Sequence, residues 1–284
     1  MKTSKQTGIR TDEHVTWCPG CPDHMILKTV KLTIEKMTKE KKAKQKDFAM
    51  VCDIGCNGKM FDYLNLSGVY SLHGRAVPVA LGITIGNPNM HVLAFAGDGA
   101  EYAEGISHFV HAFRYNANMT LVLHDNQSFS LTTGQPSPTS QKGYVAKSKP
   151  YGEENYPLNP ILLALSAGAT FIARINARDI RNNVKVFEQA IQHNGYSFIE
   201  VIQDCMIFNL EANNKDHRMY VVKDNKDNYK QALKYAHEYN YNTRDGKIPM
   251  GILYQNTKEQ SLQDKWPQLT KLRKKNKGFG DLRT

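Results

Sequence analysis

The 284 residues are 40% hydrophobic, enough to bury the core of one large α/β domain, and no run approaches the roughly 18 unbroken apolar residues that a membrane span requires. The formal charge of +10 suits an anionic cofactor, an acidic protein or nucleic acid without choosing among them. Five cysteines, an odd number, follow a polar opening, Met1-Lys2-Thr3-Ser4-Lys5-Gln6, that does not read as a secretory signal; a cytoplasmic protein with reduced thiols is expected, and a disulfide framework is not.

In chain order, residues 25–37 carry apolar side chains at helical spacing, and a lysine-rich run at 39–46 separates them from a strand at 48–54. A small-residue helix is expected over 75–85, a strand over 91–96, an amphipathic helix over 100–115 and a strand over 119–124. Between residues 126 and 159 the composition turns to Ser, Thr, Gly, Pro and Lys and periodicity is lost. That stretch is too long for an ordinary connector and starts at a strand end, where open α/β sheets bind ligands, so it reads as part of a site. A strand at 169–173, a helix at 180–193 and a strand at 197–203 follow. Such alternation predicts an α/β fold with a mainly parallel sheet flanked by helices.

After residue 210 the chain becomes polar, with one expected helix at 228–239 and one strand at 249–254. The expected organisation is a cofactor-binding domain over 1–210 and an extended C-terminal tail over 211–284 that packs on the domain or on a partner subunit. The basic runs at 39–46 and 271–277 lack interleaved aromatics and read as solvated faces or loose tail, so DNA is not an expected partner.

Gly97-Asp98-Gly99 follows one strand and Asn126 follows the next, so one crossover places Asp98 and Asn126 side by side at the carboxyl edge of adjacent parallel strands. Carboxylate and amide oxygens are what Mg²⁺ prefers, and it completes its shell with phosphate oxygens; the glycines allow close approach of a diphosphate. A turn aspartate and a strand-end asparagine are the plainer alternative. Trp17-Cys18-Pro19-Gly20-Cys21, Cys56 in a glycine-flanked loop and Cys205 past the last strand form a second constellation. Four thiolates suit a [4Fe–4S] cluster or structural zinc, and spacing does not separate the two. Cys52, inside a strand, reads as a small buried hydrophobe. His73-Gly74-Arg75 opens a helix and suits phosphate, although a structural His and a solvated Arg are common there.

Taken together, the ordered blocks Trp17 to Cys21, Ile54-Gly55-Cys56-Asn57-Gly58-Lys59, Leu72 to Ala76, Gly97 to Gly99, His124 to Asn126, Leu131 to Gln135, Pro160 to Leu165, Cys205 and Ile248 to Asn256 resemble the beta subunits of 2-oxoacid:ferredoxin oxidoreductases. The resemblance implies thiamine diphosphate, Mg²⁺ and a [4Fe–4S] cluster as cofactors. It assigns Asp98, Asn126 and the backbone carbonyl of Ser128 to the Mg²⁺, and Cys18, Cys21, Cys56 and Cys205 to the cluster. Ile54, Gly55, Cys56, Asn57, His73, Gly74, Arg75, Gly97, Gly99 and Ala100 are expected around the cofactor, with Leu131 and Thr132 covering it. Lys59, His73 and Arg75 are the expected catalytic groups.

The activity implied is oxidative decarboxylation of a 2-oxoacid, pyruvate and 2-oxoglutarate among them, with coenzyme A, electrons passing through the cluster to ferredoxin. It also implies an obligate alpha, or fused alpha/gamma, partner in a heterodimer or dimer of heterodimers. Pro22, Ala100 and Thr133 depart from the family pattern. A non-redox thiamine-dependent decarboxylase or transketolase-type subunit, its cysteines on zinc or on nothing, is the alternative.

Overall fold

The computed structural model describes residues 8–223 and 226–283; the opening Met1 to Gln6 lies outside them. Helix α1 (Asp23–Lys39) precedes β1 (Phe48–Cys52), the short α2 (Met60–Tyr63) and β2 (Ser67–Tyr70). Next come α3 (Ala76–Gly86), β3 (His91–Gly97), α4 (Asp98–Tyr102), α5 (Ile106–Tyr115) and β4 (Met119–Asp125). After the long irregular stretch follow α6 (Pro160–Ser166), β5 (Phe171–Asn176), α7 (Ile180–Gln192) and β6 (Tyr196–Ile202). The chain finishes with β7 (Met219–Val221), α8 (Tyr229–Glu238), β8 (Ile248–Gln255), α9 (Leu262–Lys265) and α10 (Pro267–Lys275).

Eight strands form one sheet in the order β2-β1-β3-β4-β6-β5-β8-β7. Neighbours are parallel except β8, which runs antiparallel to β5. Every residue of β1, β4 and β6 is buried, as the centre of a sheet covered on both faces demands. One face packs Ile26, Val30 and Ile34 of α1 and Phe187 and Ile191 of α7 against Phe48, Met50, Phe95 and Val122. The other packs α3, α5, α6 and α8 through Val77, Phe109, Phe113, Ile161 and Ala232 against Val51, Ala94, Leu121 and Phe198. No helix among the described residues is long and apolar enough to cross a membrane.

Several elements differ from the sequence reading. The helix expected over 100–115 is two, α4 and α5, broken where Ala103 leaves helical geometry (φ −102, ψ −90). Gly74 (φ +63) approaches that break so closely that a Cβ there would lie 2.5 Å from Gly105 N and 2.8 Å from Ala100 O, so the His73-Gly74-Arg75 turn occupies the gap. Residues 160–165 form α6, with Pro160 in its first turn and Asn159 Oδ1 accepting from Leu162 N at 3.1 Å. Finally, the C-terminal segment is not an extended tail. It adds β8 and β7 to the sheet, and the basic run expected to be loose belongs largely to α10, whose Leu269 and Leu272 are buried.

Candidate cofactor and metal site

The register pairs Gly97 of β3 with His124 of β4, so Asp98 and Asn126 both emerge at the carboxyl edge of the sheet. There they border a cleft. Ile54, Gly55, Cys56 and Asn57 form one side, Gly97, Asp98, Gly99, Ala100 and His73 another, and Asn126, Ser128, Leu131 and Thr132 come from the long loop. Lys59, Gly74 and Arg75 do not line it. The Lys59 ammonium donates to Thr16 O at 3.3 Å, and the Arg75 guanidinium donates to Glu104 O at 2.8 Å and to Gly74 O at 3.0 Å.

Asp98 is 2% exposed, and its Oδ2 accepts hydrogen bonds from Ser137 Oγ and, at 2.8 Å, from Thr139 Oγ1. The same Thr139 oxygen lies 2.9 Å from Asp125 Oδ1, so one hydroxyl proton stands between two buried carboxylates. Burial pushes Asp98 up to about 6 against the pull of the two hydroxyls, and pushes Asp125 well above the usual carboxylate range, with Asp98 as the next cause. Asn126 Oδ1 and Ser128 Oγ are buried without a partner, and the Ser128 carbonyl receives only a 3.4 Å contact from Ser130 Oγ. These oxygens therefore fit a hard cation: one carboxylate, one free amide oxygen and one nearly free carbonyl.

Gly99 is required by packing, since a Cβ there would fall 2.6 Å from the Phe129 ring. Phe129 lies over His73 with ring centroids 5.6 Å apart, and its backbone closes a short loop through Phe129 N to Gln135 O (2.9 Å) and Gly134 N to Phe129 O (2.9 Å). That loop carries Leu131, 45% exposed, at the mouth. Asn57 donates to Asp53 Oδ1 and, at 3.3 Å, to Phe95 O; burial raises the Asp53 carboxyl to about 8. Ala100 gives the cleft no polar group. The adjacent Glu101 is buried outside the lining with both oxygens unpartnered, its carboxyl held well above the usual range by burial.

Cys18 and Cys21 stand on the loop before α1, closed by Cys21 N to Cys18 O at 3.0 Å, with the departing Pro22 as the residue that caps α1. Trp17 Nε1 donates to Cys56 O at 2.8 Å, tying that loop to the cleft wall. A Cβ on Gly20 would lie 3.7 Å from the Met206 methyl, so the same loop also adjoins the segment of Cys205, whose Sγ accepts from Phe208 N at 3.2 Å. Burial pushes the Cys56 thiol up to about 12, reinforced by Asp23 and, more weakly, by Cys205 and Cys18. Cys21 is raised above the usual thiol range by burial and then Asp23. Among the described residues, no group of three or more His, Cys, Asp or Glu side chains is arranged to hold a single metal ion. Cys52 is fully buried in β1.

The sequence reading missed Ser137, Thr139, Phe129, Gln203 and the role of His124. His124 Nδ1 lies 2.7 Å from Asp23 Oδ1, both side chains being almost wholly buried, and its other nitrogen has no partner. None of these contacts follows from local spacing: His124 and Asp23 are 101 positions apart.

This fold and cleft define a thiamine-diphosphate-binding domain, and residues 53–201 match the family model for the thiamine pyrophosphate enzyme, C-terminal TPP binding domain. The chain is 35% identical over 273 residues to the 2-oxoacid:ferredoxin oxidoreductase subunit beta of Saccharolobus solfataricus, covering 88% of this chain and 86% of that one. It is 39% identical over 205 residues to 2-oxoglutarate oxidoreductase subunit KorB of Mycobacterium tuberculosis, covering 72% of this chain but spanning only 54% of that protein. The solved 2-oxoglutarate:ferredoxin oxidoreductase from Magnetococcus marinus, with 2-oxoglutarate, coenzyme A and succinyl-CoA bound, superposes with a TM-score of 0.84 at 28% identity, covering 98% of this chain and 94% of that one. The chain belongs to the beta subunits of the 2-oxoacid:ferredoxin oxidoreductases.

Proposed function

We propose that this subunit carries thiamine diphosphate, Mg²⁺ and a [4Fe–4S] cluster and, with an alpha or alpha/gamma partner, converts a 2-oxoacid and coenzyme A to acyl-CoA and CO₂, passing electrons to ferredoxin. The observation that carries this reading is the buried oxygen set of Asp98, Asn126 and Ser128, two members of which have side-chain oxygens without partners, at one edge of the cleft that Cys56 also borders. In the proposed site Asp98, Asn126 and the Ser128 carbonyl hold the metal, and Gly97 and Gly99 let the diphosphate approach the backbone. Asn57 and His73 line the cofactor, Leu131 and Thr132 shield it from water, and Lys59 and Arg75 reach the reacting groups only after local movement, because both are engaged with backbone carbonyls.

Bound there, thiamine diphosphate would supply the decarboxylation chemistry and the cluster a one-electron acceptor beside it. A four-iron core spaces its cysteine sulfurs more widely than a single ion does. Cys18, Cys21, Cys56 and Cys205 lie on three loops, the first of which adjoins the other two, and would supply the thiolates of such a core.

The test is anaerobic purification of the complex with iron, sulfide and zinc analysis and an absorption spectrum before and after dithionite. About four irons and four sulfides per chain, lost in Cys205→Ala, are expected. One zinc per chain with no bleachable colour overturns the redox reading.

A further inference from the structure

A second cleft lies along the segment that follows Cys205. It is bordered by residues 210–215, His217 and Arg218 and by residues 241–244, and it shares no lining residue with the cofactor cleft. Lys215, Arg218 and Arg244 face it against one carboxylate, Glu211. That carboxylate is already engaged, paired with the Arg244 guanidinium, and both side chains are 70% exposed.

The other two cations have no such partner. The Arg218 guanidinium is held by carbonyls alone: Nε donates to Gly246 O at 2.7 Å, Nη1 to Thr243 O at 3.3 Å and Nη2 to Asp245 O. Its position is thereby fixed while its charge stays uncompensated by an ion pair. Lys215 is only 6% exposed, and among the described residues its ammonium has no hydrogen-bond or ion-pair partner. Burial disfavours its charge; Asp125 and Asp204 oppose that from beyond contact, and Asp204 pairs with Arg178 at 2.8 Å. A tight turn keeps the two cations together, Arg218 N donating to Lys215 O at 2.9 Å. A buried ammonium beside a second uncompensated cation is unfavourable until an anion joins them.

The cleft also selects the kind of anion. Asn213 Nδ2 is fixed on Cys205 O at 2.7 Å, and its Oδ1 is buried without a partner. A phosphate group that keeps one proton, as its second ionisation near pH 6 allows, offers oxygens to the cations and a hydroxyl to that acceptor. A carboxylate offers only the first.

We infer that this cleft is a binding site for a phosphate group, with Lys215 and Arg218 as its cationic contacts and Glu211 restraining it through its hold on Arg244. Nothing in this inference depends on the cofactor or cluster ligands proposed above.

The experiment uses the complete complex, purified anaerobically and saturated with thiamine diphosphate and Mg²⁺ so that the cofactor cleft is closed to added anions, and titrates it with inorganic phosphate by calorimetry. A single saturable site per chain is expected. Lys215→Met is expected to weaken it by about tenfold or more, as loss of a charge-assisted contact does, at unchanged iron content. The rise in thermal midpoint that phosphate gives the wild type disappears with it. Glu211→Gln, an exposed substitution that releases Arg244, is expected to tighten the site about threefold. Coenzyme A added in competition separates two sources of the phosphate group: displacement assigns the site to that substrate, and persistence of phosphate binding assigns it to the free anion. Phosphate uptake that both variants leave unchanged overturns the inference. So does a wild-type complex that takes up none, whether its cleft stays empty or a carboxylate of the partner subunit fills it. Should Lys215→Met not assemble, Glu211→Gln and Arg218→Gln, with opposite expected effects, decide.

Discussion

The hydroxyl of Thr139 touches two carboxylates, Asp98 at 2.8 Å and Asp125 at 2.9 Å, and can donate its proton to only one. Thr139→Val keeps the shape and removes that hydroxyl. It is expected to weaken thiamine diphosphate and Mg²⁺ binding about tenfold in a calorimetric titration and to destabilise the chain by about 1–3 kcal/mol in urea, since the carboxylate that holds the hydroxyl proton loses a buried donor. Asp98 and Asn126 were legible in the sequence because strand ends and one crossover length locate them. Ser137 and Thr139 were not, because they reach Asp98 across 39 and 41 positions from a stretch without periodicity, and a hydroxyl partner leaves no pattern. Arg75 and Lys59 show the converse: their motif positions were readable, but where a long side chain points depends on the carbonyls it finds.

Elements were readable where burial imposes a period. The buried centres of β1, β3, β4 and β6 and the amphipathic α1 and α7 fall within a few residues of their expected bounds. Strand β2 escaped notice because all four of its residues are exposed, so only its pairing with β1 makes it a strand. The α4–α5 break was hidden because it depends on the distant Gly74 turn. Helix α10 was masked by Lys271, Arg273, Lys274 and Lys275, although Leu269 and Leu272, three apart, are its buried face. It packs at the amino edge of the sheet, opposite the cleft, where Arg273 meets Asp264 at 3.0 Å and Lys277 O accepts from Asn89 at 2.9 Å. Leu272→Ala is therefore expected to cost about 2–4 kcal/mol in urea denaturation while leaving cofactor binding unchanged. A loose tail would show no cost.

At the scale of the whole molecule, the response to pH sums buried groups of opposite sign. His193, held 2.9 Å from Thr170 Oγ1, has its imidazole lowered from 6.5 to about 4 by burial. The unfolded chain then binds the extra proton first, so stability falls as pH drops from about 6.5 toward 4. Asp53, raised to about 8, works the other way: the folded chain keeps its proton longer, and that contribution is lost as pH rises from about 4 toward 8. His193→Gln is expected to remove about 2 kcal/mol of the stability difference between pH 7 and pH 4.5 in urea melts; an unchanged difference refutes the assignment. The outermost strand sets a further property of the molecule. A parallel sheet ordinarily hides both faces, yet β2 ends this one with Val69 and Tyr70 more than 40% exposed and one ladder of peptide groups facing outward. Among the described residues no strand pairs with the outer side of β2, so the isolated chain is expected to self-associate more as its concentration rises, which light scattering would read.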